Sequence, residues 1–144
     1  MADSSPGQES ASPSGGSVSD DDRIAAAQAY IDALVSHDGD SVPFAPGCVR
    51  LEQGIKTGFS GDHLRRSLKR GPQYRIIQSA TQPEYTVTGD EIRALFDIVT
   101  KTGFAGRRVA AHIDETFVIP STDGRIHHIK ARLRPFISAG PKIR

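Results

Sequence analysis

Asparagine is absent from this 144-residue chain, and cysteine occurs once, as Cys48. A lone cysteine excludes an intramolecular disulfide and leaves nothing for a cysteine metal cluster, which fits a reducing compartment. Long apolar runs are missing as well, and no stretch approaches the roughly 18 unbroken apolar residues of a membrane-crossing helix. The N-terminal stretch has neither a basic n-region nor an apolar h-region, so it does not read as a secretory signal. Charge of one sign does not prevail: 18 Lys and Arg stand against 17 Asp and Glu, a net +1. Setting aside Asp3 and Glu9 of the tail leaves +3 on the rest, too mild to imply nucleic acid. Arg outnumbers Lys by 13 to 5, a bias that a GC-rich genome produces without functional pressure. These absences lead to the expectation of a soluble cytoplasmic protein that needs no cofactor and has neither a membrane nor a nucleic acid as partner.

What is present suits one α+β domain. Residues 1–19 are Ser-, Gly- and Pro-rich with Val18 as their one large aliphatic residue, the composition of a disordered tail. Residues 20–136 have the apolar content of a core, and 137–144 form a short C-terminal tail. Ser19 followed by Asp20, Asp21 and Asp22 starts a helix, because a hydroxyl caps free N–H groups and carboxylates face the positive end of the macrodipole. Ile24, Ala27, Ile31, Leu34 and Val35 then make one apolar stripe with Tyr30 at its border, ending at Ser36. A short strand over Cys48–Gln53 and a second helix over Ser60–Arg70 follow. Five strand candidates come next: Tyr74–Ala80, Glu84–Thr88, Glu91–Thr100, Arg107–Ile119 and Arg125–Pro135, with turns at Gly89-Asp90 and Asp123-Gly124. Helices first and strands afterwards predict an α+β fold in which the long N-terminal helix packs in the concavity of a curved antiparallel sheet.

Chemistry is harder to place. His127 and His128 are adjacent, so on a strand they face opposite ways and cannot grip one ion. No Gly-X-Ser-X-Gly elbow occurs, and Cys48 has no histidine near it in sequence. Arg65, Arg66, Lys69 and Arg70 occupy the last turns of a helix, where cations favour the negative dipole end. Lys56-Thr57-Gly58-Phe59-Ser60-Gly61 and Lys101-Thr102-Gly103-Phe104-Ala105-Gly106 agree at five of six positions, which reads as shared turn chemistry.

One resemblance connects these parts. The helix Gln28-Ala29-Tyr30-Ile31-Asp32-Ala33-Leu34 with Gly39-Asp40 resembles the first helix of bacterial ketosteroid isomerases and SnoaL-like proteins, in the nuclear transport factor 2-like superfamily. Val49-Arg50-Leu51-Glu52, then His112-Ile113-Asp114-Glu115-Thr116-Phe117 and Asp123-Gly124-Arg125-Ile126, follow in the same order. The resemblance implies a cystatin-like cone or half-barrel, with Tyr30 as an oxyanion donor, Glu52 as general base and Asp114 as a protonated donor; His112, which has no counterpart in the isomerase pattern and shares a strand face with Asp114, and Arg50 are further candidates for contact with the ligand. It implies a small apolar or polycyclic ligand and a homodimer through the sheet face. Isomerase- or cyclase-like proton transfer is then one reading, and a ligand-binding or dimerising module with a buried network of Asp114, His112 and Arg50 is the other. Taken without the resemblance, Tyr30 also reads as a core-edge aromatic, Glu52 as a solvent-facing strand residue, and Asp114 as a paired acid.

Overall fold

The computed structural model describes residues 16–139. Helix α1 spans Asp20–Ser36, with the Ser19 hydroxyl accepting from the Asp22 N–H at 3.1 Å and His37 ending it in the left-handed region at φ 63°. Both ends thus form where the local signals put them. A single 3₁₀ turn over Gly39–Ser41 leads into β1 (Phe44–Glu52), β2 (Ile55–Gly58), α2 (Gly61–Arg70) and α3 (Pro72–Arg75). Then come β3 (Ile77–Ala80), β4 (Glu84–Thr88), β5 (Glu91–Phe104), β6 (Arg107–Val118) and β7 (Ile126–Ser138).

The strands form one seven-stranded sheet ordered β2-β1-β7-β6-β5-β3, with β4 also pairing β5. All pairs are antiparallel except β1 with β7, which is parallel and makes the sheet mixed. Helix α1 lies on the inner face, where Ala27, Tyr30, Ile31 and Leu34 join Phe44, Leu64, Phe117, Ile126 and Ile129 in the core. The edge of the Tyr30 ring meets Phe117 at 5.5 Å and Phe44 at 6.0 Å between centroids, so Tyr30 is a core residue and not a border one. At one end of the sheet the buried Arg23 ties α1 down. Its Nε donates to the Ile119 carbonyl and its Nη2 to the Gly89 carbonyl, each at 2.6 Å.

Several local expectations change. Tyr74 belongs to α3 and not to a strand, because Pro72 opens a helical turn with its φ already set. Strand β1 begins four residues before Cys48, and β2 follows it through a Gln53-Gly54 hairpin turn whose φ angles are 53° and 78°. The two Lys-Thr-Gly-Phe segments do not share a structure. The first ends β2 and caps α2 through Ser60, while the second is the β5–β6 hairpin, turning at Ala105-Gly106. Tertiary pairing, not the six-residue string, decides each. Strand β7 continues to Ser138. Residues 1–15 of the N-terminal tail and 140–144 of the C-terminal tail lie outside the described residues.

Candidate functional site

Arg50 is the centre of the interior polar cluster. It stands on β1 with its side chain wholly buried. Its Nη1 donates to the Tyr30 hydroxyl at 3.3 Å, and its Nε donates to the Thr57 hydroxyl at 3.1 Å. Its Nη2 donates to the Thr57 carbonyl at 3.1 Å and the Ser67 hydroxyl at 3.3 Å. The guanidinium also lies over the Tyr74 ring, 4.6 Å from the centroid. Burial opposes its charge, but Tyr30, Tyr74 and Glu52 outweigh that and hold its pKa above the ordinary value. Gly58 makes room for this arrangement: a Cβ there would sit 2.4 Å from Leu64 Cδ2 and 2.9 Å from Arg50 Cβ.

Glu52 stands two residues further along β1 on the same face. Its Oε2 accepts from the Tyr74 hydroxyl at 2.5 Å and lies 3.7 Å from Arg50 Nε, with the side chain 20 % exposed. Burial, then the nearby phenol of Tyr30, raise the pKa of Tyr74, with Arg50 opposing. Burial likewise raises that of Tyr30. The Tyr30 oxygen accepts from Arg50, and among the described residues nothing accepts its O–H. Tyr30, Arg50 and Glu52 are therefore brought together in the interior.

Asp114 and His112 are not. On β6 the residues Ala111, Ile113, Glu115 and Phe117 face the core, so His112 and Asp114 point from the opposite face. Asp114 takes two hydrogen bonds from Arg93, at 2.9 and 2.6 Å, and these hold its carboxyl below the usual range. His112 Nδ1 lies 2.8 Å from Asp97 Oδ1, and its ring stacks on Phe136 at 4.3 Å. Neither residue reaches Arg50, so the buried network of Asp114, His112 and Arg50 does not exist, and the ionised Asp114 is no donor to the interior. Both line an open groove of about 1100 Å³ on the outer sheet face, together with Leu95, Arg132 and Arg134.

Two interior residues escaped the sequence reading. Glu115 is buried at 3 % exposure between the small cross-strand neighbours Ala94 and Ala131. Among the described residues nothing hydrogen-bonds that carboxyl. Burial first, then the Glu52 charge, push its pKa up to about 8 against the opposing pull of Arg50, so it is protonated at neutral pH. The signal was present in the sequence: Ile113 and Phe117, two residues to either side, put Glu115 on the apolar face. The other residue is Tyr74, whose nearness to Glu52 across 22 positions had no local signal.

The model of a family described as "Domain of unknown function (DUF8021)" matches residues 17–133. No curated protein matches the sequence. Among solved structures, an LEH-like epoxide hydrolase of M. tuberculosis superposes with a TM-score of 0.65 at 19% identity, covering 79% of this chain and 84% of that one. A protein of Burkholderia xenovorans LB400 titled NTF-2 like superposes at 0.59 and 13% identity over 86% and 88% of the two chains. A SnoaL-like polyketide cyclase assignment from Shewanella denitrificans OS-217 gives 0.60 and 14% identity over 78% and 90%. At these identities the likeness establishes the fold alone, a helix packed on a curved sheet that this chain shares with a protein titled NTF-2 like.

Proposed function

For this chain, which belongs to the family described as a domain of unknown function (DUF8021), we propose binding of a small apolar molecule against the inner sheet face and proton transfer on it. The observation that supports this is a pair of interior carboxyls in different surroundings. Glu52 is partly exposed and held by Arg50 and Tyr74, while Glu115 is buried, unpartnered and protonated at neutral pH. Two titratable groups with divergent environments divide acid from base work. Glu52 takes a proton from the carbon beside a carbonyl. The Tyr30 O–H and the Glu115 carboxylic acid donate hydrogen bonds to the enolate oxygen that forms, the first as an unspent donor and the second in the place expected of Asp114. Returning the proton to a different carbon gives isomerisation. Attack of the enolate carbon on a second carbonyl within the substrate, whose oxygen takes the proton, gives cyclisation. The names that two neighbours carry, an epoxide hydrolase and a polyketide cyclase, agree with this class of substrate.

The test is a β,γ-unsaturated ketosteroid as probe substrate, with formation of the conjugated enone followed by ultraviolet absorbance. Turnover is expected from the natural chain and not from Glu52→Gln. Equal rates in both would sink the catalytic reading. A second reading, a binding or dimerising module, draws support from the outer groove, where Asp97 and Asp114 stand beside Arg132 and Arg134. Mixed charge of this kind is self-complementary across a two-fold axis. A monomeric mass in sedimentation equilibrium would remove the dimer through this face.

A further inference from the structure

We propose that the end of the sheet opposite the Arg23 clamp is a docking surface for an anionic lipid bilayer, with Phe104 and Ile137 entering the interface among Arg75, Lys101, Arg107 and Arg108. This surface is independent of the carboxyl pair described above. Three stretches meet there. The Lys101 N–H donates to the Ile76 carbonyl at 2.8 Å, Phe104 pairs with Arg107, Val109 pairs with Ile137, and the Arg108 side chain reaches Gln78.

Four exposed large apolar side chains stand at this end: Phe104, Ile137, Ile76 and Val109. Phe104 is 88% exposed at the hairpin tip, Ile137 60% and Ile76 40%. Val109 and Ile137 continue the inner, core-bearing face of β6 and β7 past the point where the helices cover it. Uncovered apolar side chains on a sheet face that is buried elsewhere mark a contact surface.

The charge is one-sided. Residues 71–80, 98–111 and 133–139 contain no Asp or Glu. Arg75, Lys101, Arg107 and Arg108 take part in none of the ion pairs among the described residues. These four supply +4 in a chain of net +1, so the remainder carries −3 and the molecule is electrically polar. Cations facing an anionic surface with apolar side chains between them are the chemistry of interfacial binding. Nucleic acid is the other polyanion, but the aliphatic Ile76 and Ile137 gain from hydrocarbon and have no ring to stack on a base. The expectation of no membrane partner rested on the lack of a spanning segment, and a surface contact needs none.

The experiment is co-sedimentation of the full chain with phosphatidylcholine vesicles containing about 30% phosphatidylserine, against pure phosphatidylcholine, at about 0.1 M salt. Binding is expected to the anionic vesicles only and to fade as salt rises. Lys101→Ala and Arg107→Ala should each weaken it about fivefold, the equivalent of about 1 kcal/mol per cation near such a surface. Phe104→Ala should weaken it further, and all three positions are exposed, so circular dichroism should show an unchanged fold. Lys130→Ala, on the outer face, removes the same charge elsewhere and should change nothing. No binding to the anionic vesicles, equal binding to both kinds, or an equal loss with Lys130→Ala would each overturn the assignment. Capture of a single-stranded oligonucleotide in place of vesicles, with the same dependence on Lys101 and Arg107, would give the surface to nucleic acid instead.

Discussion

Glu115 offers a stability measurement that needs no substrate. In the folded protein its pKa is pushed up to about 8, while in the unfolded chain it returns to the ordinary 4.5. Between those values the native state holds a proton that the unfolded state has lost, so stability must fall as pH rises. The contribution is fully present below pH 4.5 and is lost as pH climbs through about 8. At about 1.4 kcal/mol per pH unit the whole interval amounts to about 5 kcal/mol. Glu115→Gln keeps the shape and removes the titration. Urea denaturation of both proteins from pH 5 to 8 should give similar stabilities at the acid end and a widening advantage for the variant toward pH 8. Because every other titrating group is common to the two, their difference isolates this carboxyl. Parallel pH profiles would refute the reasoning, since they would mean that Glu115 ionises in the native protein as easily as in the unfolded chain.

Removing the Arg50 guanidinium should be among the costliest substitutions in the chain. Arg50→Met strands Glu52 and leaves Tyr30, Thr57 and Ser67 without their donor, at about 3–5 kcal/mol in urea unfolding. Gly58→Ala drives a methyl into Leu64 and the Arg50 stem and should cost about 1–3 kcal/mol by the same assay. Asp114→Asn, on the outer face, should leave both the melting temperature and turnover of the probe ketone nearly unchanged. A loss of turnover as large as that of Glu52→Gln would return the site to Asp114.

Asp114 and Glu115 are adjacent on β6, and that one position decides which of them faces the interior. A strand alternates its faces, so a shift of one residue exchanges every inward side chain for an outward one. The resemblance to ketosteroid isomerases favours the aspartate by residue type, whereas Ile113 and Phe117 favour the glutamate by parity. Burial follows parity, because leaving Ile113 and Phe117 in water would forfeit about 1.5–3 kcal/mol for each. His112 goes outward with Asp114 for the same reason.

What the sequence by itself determined was local: the cap at Ser19, the apolar stripe from Ile24 to Val35, the basic end of α2, and the Gly89-Asp90 turn. Each depends on groups within about one turn of the chain, so short-range geometry suffices. The order of helices and strands carried the α+β class with them. Only the tertiary structure decided that β1 runs parallel to β7, that Tyr74 meets Glu52, and that Arg50 joins α1, β2 and α2 through Tyr30, Thr57 and Ser67. Those contacts join residues far apart in the chain. They arise because a buried guanidinium and its neighbouring carboxyls must find partners wherever the closed fold places them.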